Sequence, residues 1–218
     1  MKIRLIVLVA AATLGAGSAV AFAATLAVGS AHIWTGSQTL TKGTCTVPAT
    51  AITDTYVREN ATTTSYGTQT TTIVRADAGL REWIFVRADL TSCTLPTTGG
   101  ADTATLKLVV KTTATGGRTL TVTPVLSNWG NTLTWNQAQA LTYGSSATTT
   151  FATGTTNGAT LSATVTVDVD ALIRNSSASF GWRITDLGST GTANTTTFNA
   201  VEAGTLGLRP TLAVNYEK

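Results

Sequence analysis

The sequence has little charge and a single histidine. Only 11% of its 218 residues are charged, less than half of the share of about 25% in ordinary soluble domains. Disordered tails combine high net charge with poor hydrophobicity, so this composition argues against one. With His32 as the only imidazole, catalytic triads built on histidine, multi-histidine zinc sites and proton relays are also disfavoured.

Positive charge is scarce as well. The formal net charge is +3, and it falls to +1 when Lys2 and Arg4 are removed with a leader. A nucleic-acid-binding surface needs a cluster of lysines and arginines that neutralises phosphates. We therefore expect no nucleic-acid partner.

The first residues have the pattern of a targeting segment. Lys2 and Arg4 precede an apolar run over residues 5–12, and small residues end in Ala21-Phe22-Ala23. This order predicts a signal peptide over residues 1–23 and a secreted, extracellular mature protein. The alternative is an uncleaved membrane anchor, since residues 5–24 approach the length of about 20 residues that spans a bilayer.

Two cysteines, Cys45 and Cys93, are separated by 48 positions. Export into an oxidising compartment predicts that they form one structural disulfide. A reactive thiol would need an activating neighbour, and the sequence offers neither a nearby histidine nor a CxxC spacing.

The residue pattern of the rest of the chain predicts mainly short strands. Residues 24–51 lack a clear period and are predicted to be an N-terminal extension pinned by Cys45, whereas residues 52–218 are predicted to form one domain. Only residues 170–175 look helical, as a turn capped by Asp170. The pattern therefore predicts an all-β sandwich or barrel. The predicted strands are 54–58, 71–75, 82–89, 104–111, 119–125, 162–169, 179–185, 195–199 and 211–216.

The segment Asp77-Ala78-Gly79-Leu80-Arg81-Glu82 resembles the D-N-R-L-R-E signature of the DNRLRE domain, with four of six positions equal. Further elements of that family follow in the same order, from residues 54–58 through 133–136 and 165–172 to 196–212. The resemblance implies a two-sheet antiparallel jelly-roll β-sandwich of the kind found in carbohydrate-binding modules beside polysaccharide-degrading enzymes. The same domain also occurs in surface proteins without known ligands.

The resemblance also implies structural roles for several residues. Arg81 is expected to pair with Glu202 or Asp77 and so to lock strand ends, and Arg209 is expected to do the same. The structural signature consists of Asp77, Arg81, Glu82, Glu202 and Arg209.

Aromatic side chains are the first candidates for sugar binding, because their faces stack on the apolar faces of pyranose rings. Trp83 and Trp182 lie in apolar strands and are expected inside. Trp129 and Trp135 flank a polar turn, where interior packing is favoured over a sugar platform. Tyr66 and Tyr143 each precede a glycine in a predicted loop and are better placed on a binding rim.

Arginines are the second group of candidates. Arg58, Arg75 and Arg87 lie on adjacent predicted strands, and on a shared face they would form a cationic strip. Guanidinium groups bind carboxylates through paired hydrogen bonds, so such a strip would suit a carboxylated sugar.

Catalysis has weak support. Asp168 and Asp170 on one strand face would lie about 7 Å apart, within the range that glycoside hydrolysis uses. Asp170 nevertheless reads as a helix cap, so we expect no enzyme and no catalytic residue. No cofactor is expected; jelly rolls often carry a structural calcium ion, but no Dx[DN]xDG loop locates one here.

Two functions remain open. The first is an exported, non-catalytic module that binds a polysaccharide, for which an anionic, plant or algal polysaccharide is favoured. The second is a structural or adhesive cell-surface protein that associates with itself or with a protein partner, for which a loose N-terminal strand could pair with a sheet edge.

Overall fold

The computed structural model describes residues 42–95, 100–175, 180–186, 188 and 195–217. The predicted signal peptide and most of the predicted extension, including His32 and Trp34, lie outside the described residues. The described residues all belong to one compact unit, Thr39–Lys218.

Within the described ranges the chain forms eleven strands and two short α-helices. Three 3-10 turns, Ala49–Ala51, Leu90–Ser92 and Leu206–Leu208, join some of them. The helices are α1 (Trp135–Gln139) and α2 (Thr166–Arg174). The strands are β1 (Lys42–Val47), β2 (Ile52–Arg58), β3 (Thr71–Val74), β4 (Glu82–Ala88), β5 (Gly100–Thr112), β6 (Thr119–Pro124), β7 (Thr149–Ala152), β8 (Thr160–Thr164), β9 (Trp182–Asp186), β10 (Thr196–Asn199) and β11 (Thr211–Glu217).

The strands form two antiparallel sheets. One has the order β1-β11-β5-β10-β3, with β8 also paired to β5, and the other has the order β2-β4-β9-β6-β7. The long strand β5 pairs with β11 along its first half and with β10 near its end. The predicted two-sheet antiparallel jelly-roll β-sandwich is therefore confirmed.

The main core lies between the sheets and follows the alternation of the strands. In β5, Ala104, Leu106, Leu108 and Val110 are all buried in this core, whereas Lys107 is exposed. Each buried leucine or valine contributes about 1.5–3 kcal/mol relative to an exposed one. The alternating segment thus supplies the apolar surface that holds the six-stranded sheet against its partner.

The disulfide between Cys45 and Cys93 is confirmed, with the two Cα atoms 5.8 Å apart. It joins β1 to the residue that follows the second 3-10 turn. β1 pairs with β11 over six residues, from Lys42 opposite Glu217 to Val47 opposite Leu212. This part of the predicted extension is therefore an edge strand of the six-stranded sheet.

The prediction of a strand over residues 162–169 is wrong in its second half. β8 ends at Thr164, and α2 runs from Thr166 to Arg174. Val165 and Val169, four residues apart, are both buried in the main core, and this spacing fits a helix as well as the alternation fits a strand. The predicted helical turn at 170–175 therefore begins four residues earlier, and Asp170 lies inside the helix instead of capping it.

No helix in the described ranges is long and apolar enough to span a membrane.

Candidate functional site

The outer face of the five-stranded sheet carries a second, smaller core. In β4, Ile84 and Val86 point into the main core, so Trp83, Phe85 and Arg87 point the other way. Phe85 is nevertheless fully buried. It is covered by the segment of residues 125–143, which we call the aromatic cap.

Local sequence explains how the aromatic cap folds. Thr134 and Gln137 form a capping box, in which the Thr134 hydroxyl accepts from the Gln137 backbone N–H and the Gln137 side chain accepts from the Thr134 N–H. This arrangement begins α1. It fixes Trp135 in the first turn, where its ring lies 4.4 Å from that of Trp83.

Trp129 and Trp135 are accordingly interior residues, each 6% exposed. The Trp129 indole N–H donates to the Phe180 carbonyl at 2.6 Å. Tyr143 is half-buried, and its hydroxyl donates to the Ala138 carbonyl at 2.5 Å. The interior packing that the sequence favours for Trp129 and Trp135 is thus observed, and these two rings hold the aromatic cap to the sheet together with Tyr143, which was expected on a binding rim.

Arginines stack on the rings of this second core. A guanidinium over an aromatic face is attracted by the negative electrostatic potential of the ring. Arg81 lies 5.6 Å from the Trp135 ring and Arg87 lies 5.5 Å from the Trp129 ring. Arg183 lies between two rings, 4.8 Å from Trp83 and 3.9 Å from Tyr143.

At one end of this face Arg87 lines a cleft of about 440 Å³. Thr53, Thr91 and Asp89 supply oxygen atoms on its wall, and Phe180 supplies a half-buried ring. The cleft thus combines an apolar ring face with a few fixed polar groups, which is the combination that sugar-binding sites use. The cleft is therefore the candidate binding site.

Gly181 allows the strands to come close beside this cleft. Its φ of +94° belongs to the region that favours glycine. A Cβ atom at this position would collide with the Val86 carbonyl and the Arg87 backbone. Any larger residue would push the start of β9 away from Arg87.

Arg87 bonds to a neutral partner and has no carboxylate of the described residues at salt-bridge distance. Nη1 of Arg87 donates to Asn128 Oδ1 at 2.9 Å, and no carboxylate in the described part of the chain lies within 4 Å of its guanidinium. The Asp89 carboxylate accepts from the Thr91 hydroxyl at 2.7 Å and from its N–H at 2.9 Å. These bonds, and to a smaller extent Arg87, lower the pKa of Asp89.

The other predicted binding residues lie elsewhere, and the two arginines among them are bound to carboxylates. Arg58 Nε lies 2.7 Å from Glu82 Oε1, and Arg75 Nε lies 2.6 Å from Asp77 Oδ2. Tyr66 stacks on Tyr56 with ring centres 4.5 Å apart. This cluster joins β2, β3 and β4, and of the predicted cationic strip only Arg87 is in the cleft.

Glu82 is the buried member of that cluster, at 3% exposure. Burial raises its pKa, while Arg58 and Arg75 act in the opposite direction. The two guanidinium groups thus compensate a carboxylate that the sandwich has removed from water.

The prediction that Arg81 pairs with Glu202 or Asp77 is wrong. Arg81 pairs with Glu59, through Nε to Oε2 at 2.9 Å and Nη2 to Oε1 at 2.5 Å, and this bond holds the pKa of Glu59 down at about 2. Arg209 Nε donates to the Ala203 carbonyl at 2.8 Å. Arg209 also interacts with the Glu202 carboxylate, whose pKa it lowers against the larger effect of burial, so only the expected partner of Arg81 is replaced by another group.

The predicted placement of Asp168 and Asp170 on one strand face is also wrong. Both lie in α2, where residues two apart point to nearly opposite sides. Asp168 Oδ2 accepts from the Trp182 indole and from the Thr148 hydroxyl, each at 2.6 Å. Asp170 binds Arg174 at 2.8 Å and the Ala101 N–H at 3.1 Å.

No group of three or more His, Cys, Asp or Glu side chains that could hold a metal ion lies within the described ranges.

Sequence reasoning missed Arg183, Phe180 and Asn128. Arg183 could have been found, since the alternation that places Trp182 and Ile184 inside puts Arg183 on the outer face. Phe180 and Asn128 lie in loops, where no periodic signal indicates the direction of a side chain.

Comparison with solved structures gives a weak similarity. Among solved structures the chain is similar to the CBM22-1–GH10 modules of the N-terminal endo-1,4-β-D-xylanase 10B of Clostridium thermocellum, complexed with xylohexaose. That similarity has 11% identity and a TM-score of 0.31, and it covers 79% of this chain and 27% of the other. It is too low to support an argument. No curated protein matches this chain.

A family model gives the decisive match. The model of carbohydrate-binding module family 96 matches residues 45–216, which include both sheets, the aromatic cap and the cleft. The chain belongs to carbohydrate-binding module family 96.

Proposed function

We propose that this chain is an exported, non-catalytic module that binds an anionic polysaccharide through the cleft at Arg87. Membership of a carbohydrate-binding family supports the sugar ligand. The observation that supports an acidic sugar is the guanidinium of Arg87, which Trp129 and Asn128 hold in place. No carboxylate of the described residues lies within 4 Å of it, although it contributes to the lowered pKa of Asp89 in the same cleft.

The rest of the cleft suits the uncharged part of such a sugar. The Phe180 ring offers an apolar face, and the Thr53 and Thr91 side chains offer oxygen atoms. The Asp89 carboxylate accepts hydrogen bonds, as sugar hydroxyls require. A uronic acid residue would place its carboxylate on Arg87 and its ring against this wall.

The bonding of the carboxylates supports the non-catalytic assignment. Each of Asp168, Asp170 and Glu59 accepts hydrogen bonds from groups that hold it within the fold. Asp89, in the cleft, is bound to Thr91. A glycosidase would need a second carboxylate facing Asp89 across the sugar, and no other carboxylate in the described ranges lines the cleft.

Affinity electrophoresis tests this proposal. We expect gels that contain alginate or polygalacturonate to retard the protein more than gels that contain neutral xylan, and added salt to weaken the effect. A gel with dextran sulfate separates preference for carboxylate from preference for sulfate. Equal retardation by xylan would refute the anionic preference, and retardation by none of these gels would refute sugar binding.

The variant Arg87→Ala should weaken binding to polygalacturonate by about 10- to 100-fold, since hydrogen bonds to a charged group contribute about 1.5–3 kcal/mol. Arg87→Lys should recover part of the affinity, because it keeps the charge but loses the planar fork. The matched control is Lys111→Gln, which removes one exposed positive charge from the other sheet. Equal weakening by the control would show a non-specific charge effect.

A structural role through self-association is favoured by one observation. β1 ends the strand order of the six-stranded sheet in the described part of the chain, and edge strands can pair with a second chain. Light scattering would support this role by showing a stable dimer or larger species. A monomer at high protein concentration would contradict it.

A further inference from the structure

Arg183 is an unusual cation, because it lies within the fold without an acidic partner. It is half-buried, its Nε is buried without a hydrogen bond, and no carboxylate in the described ranges lies within 4 Å of it. Its neighbours in the same row of the outer face are Phe85 on β4 and Thr123 on β6. The sheet itself therefore offers it no negative charge.

Aromatic rings take the place of that missing partner. Trp83 and Tyr143, both half-buried, lie on either side of the guanidinium at 4.8 Å and 3.9 Å. Burial lowers the pKa of Arg183, and interaction with Tyr143 opposes that effect. Rings stabilise a cation less completely than a carboxylate does, so a partly desolvated guanidinium of this kind attracts an incoming anion.

Arg183 lies close to Arg87, the arginine of the cleft, on the outer face of the sheet. Phe85 is directly opposite Arg183, and Arg87 lies two residues further along β4 on the same face. Diagonal neighbours of this kind are about 7–8 Å apart between Cα atoms. Arg87 and Arg183 are thus two adjacent guanidinium groups on one face, both stacked on rings of the same small core.

We propose that the stack of Trp83, Arg183 and Tyr143 is a second anion subsite next to the Arg87 cleft. This inference rests on the proposed function and specifies its ligand further. The ligand is then a polymer with acidic groups on successive sugars, since one chain must supply an anion to each guanidinium. Arg81 does not add a third subsite, because Glu59 already occupies its guanidinium.

Calorimetric titration with hexagalacturonate tests the second subsite. We expect Arg183→Met, which keeps an apolar stem between the rings, to weaken binding about tenfold, as the loss of one charge-assisted hydrogen bond would. Arg183→Lys should weaken it less. The slope of log affinity against log salt should fall in Arg183→Met, because fewer charges then meet the polymer.

The controls separate this inference from the proposed function. Lys111→Gln should bind as the wild type does. If Arg183→Met binds with wild-type affinity while Arg87→Ala loses affinity, the second subsite is overturned. The proposal that the polysaccharide binds in the Arg87 cleft is then unaffected. Failure of the wild type itself to bind hexagalacturonate or a sulfated oligosaccharide would overturn both.

A direct measurement on the wild type covers the case in which Arg183→Met does not fold. The Nε–Hε NMR signal of Arg183 can be assigned by its loss in Arg183→Lys. We expect hexagalacturonate to shift it together with the signal of Arg87. A signal of Arg183 that stays in place while that of Arg87 moves would overturn the second subsite.

Discussion

Removing the disulfide between Cys45 and Cys93 is expected to lower the free energy of unfolding by about 4 kcal/mol. The bond closes a loop of 48 residues in sequence separation, and without it the unfolded chain gains the corresponding conformational entropy. The double variant Cys45→Ser/Cys93→Ser, unfolded in urea beside the wild type, measures the difference. A loss of this size is a large part of the stability of a typical domain.

Reducing agent provides the control for the disulfide. Dithiothreitol should lower the stability of the wild type to that of the double variant and should leave the double variant unchanged. Equal stability of the wild type and the variant under oxidising conditions would contradict the prediction. Cys93 directly follows the 3-10 turn that carries Thr91 of the cleft wall. Because loss of the disulfide can therefore alter the cleft, sugar affinity should be measured in the same samples.

The second large effect concerns Asp54, a carboxyl that is 2% exposed in β2. Burial and the nearby Glu202 raise its pKa to about 7, although its Oδ2 accepts from the Val201 N–H at 3.0 Å. A raised carboxyl pKa means that the folded state binds the proton more tightly than the unfolded state. Stability should therefore decrease as the pH rises from about 4 to about 7.

The variant Asp54→Asn isolates this contribution. Its amide oxygen can still accept from Val201, but it does not ionise. Relative to the wild type, the variant should gain up to about 4 kcal/mol between pH 4 and pH 8, from 1.36 kcal/mol for each pH unit of the shift. Urea unfolding of both proteins at several pH values measures the gain.

The control for Asp54→Asn is the wild type measured in the same buffers. A pH-independent difference between Asp54→Asn and the wild type would show that the folded and unfolded states bind the Asp54 proton equally.

Much of the fold could be predicted from the sequence, because strands that bury one face impose a period of two on their residues. β4, β5, β9 and β11 all lie within segments predicted to be strands or overlap them closely. The prediction was wrong where two periods coincide, as at residues 165–169. There the packing of Val169 into the main core and the bond from Trp182 to Asp168 select a helix.

The site was less predictable, because it depends on which charges meet. Arg58, Arg75 and Arg87 have the same chemistry and similar positions on neighbouring strands. Arg58 and Arg75 point toward Glu82 and Asp77, whereas Arg87 points to the outer face, toward Trp129. Nothing in the spacing of these residues reveals this difference.

By itself the sequence determined an all-β chain of short strands, the disulfide that links Cys45 to Cys93, and the type of residue available for binding a sugar. These features follow from local periodicity, from the number of cysteines and from composition. Only the tertiary structure decided which arginines form no salt bridge and how the tryptophans pack between the aromatic cap and the sheet. Those properties depend on contacts between residues far apart in the chain, such as Arg87 with Asn128 and Trp83 with Arg183, which exist only after the sheets and loops have packed.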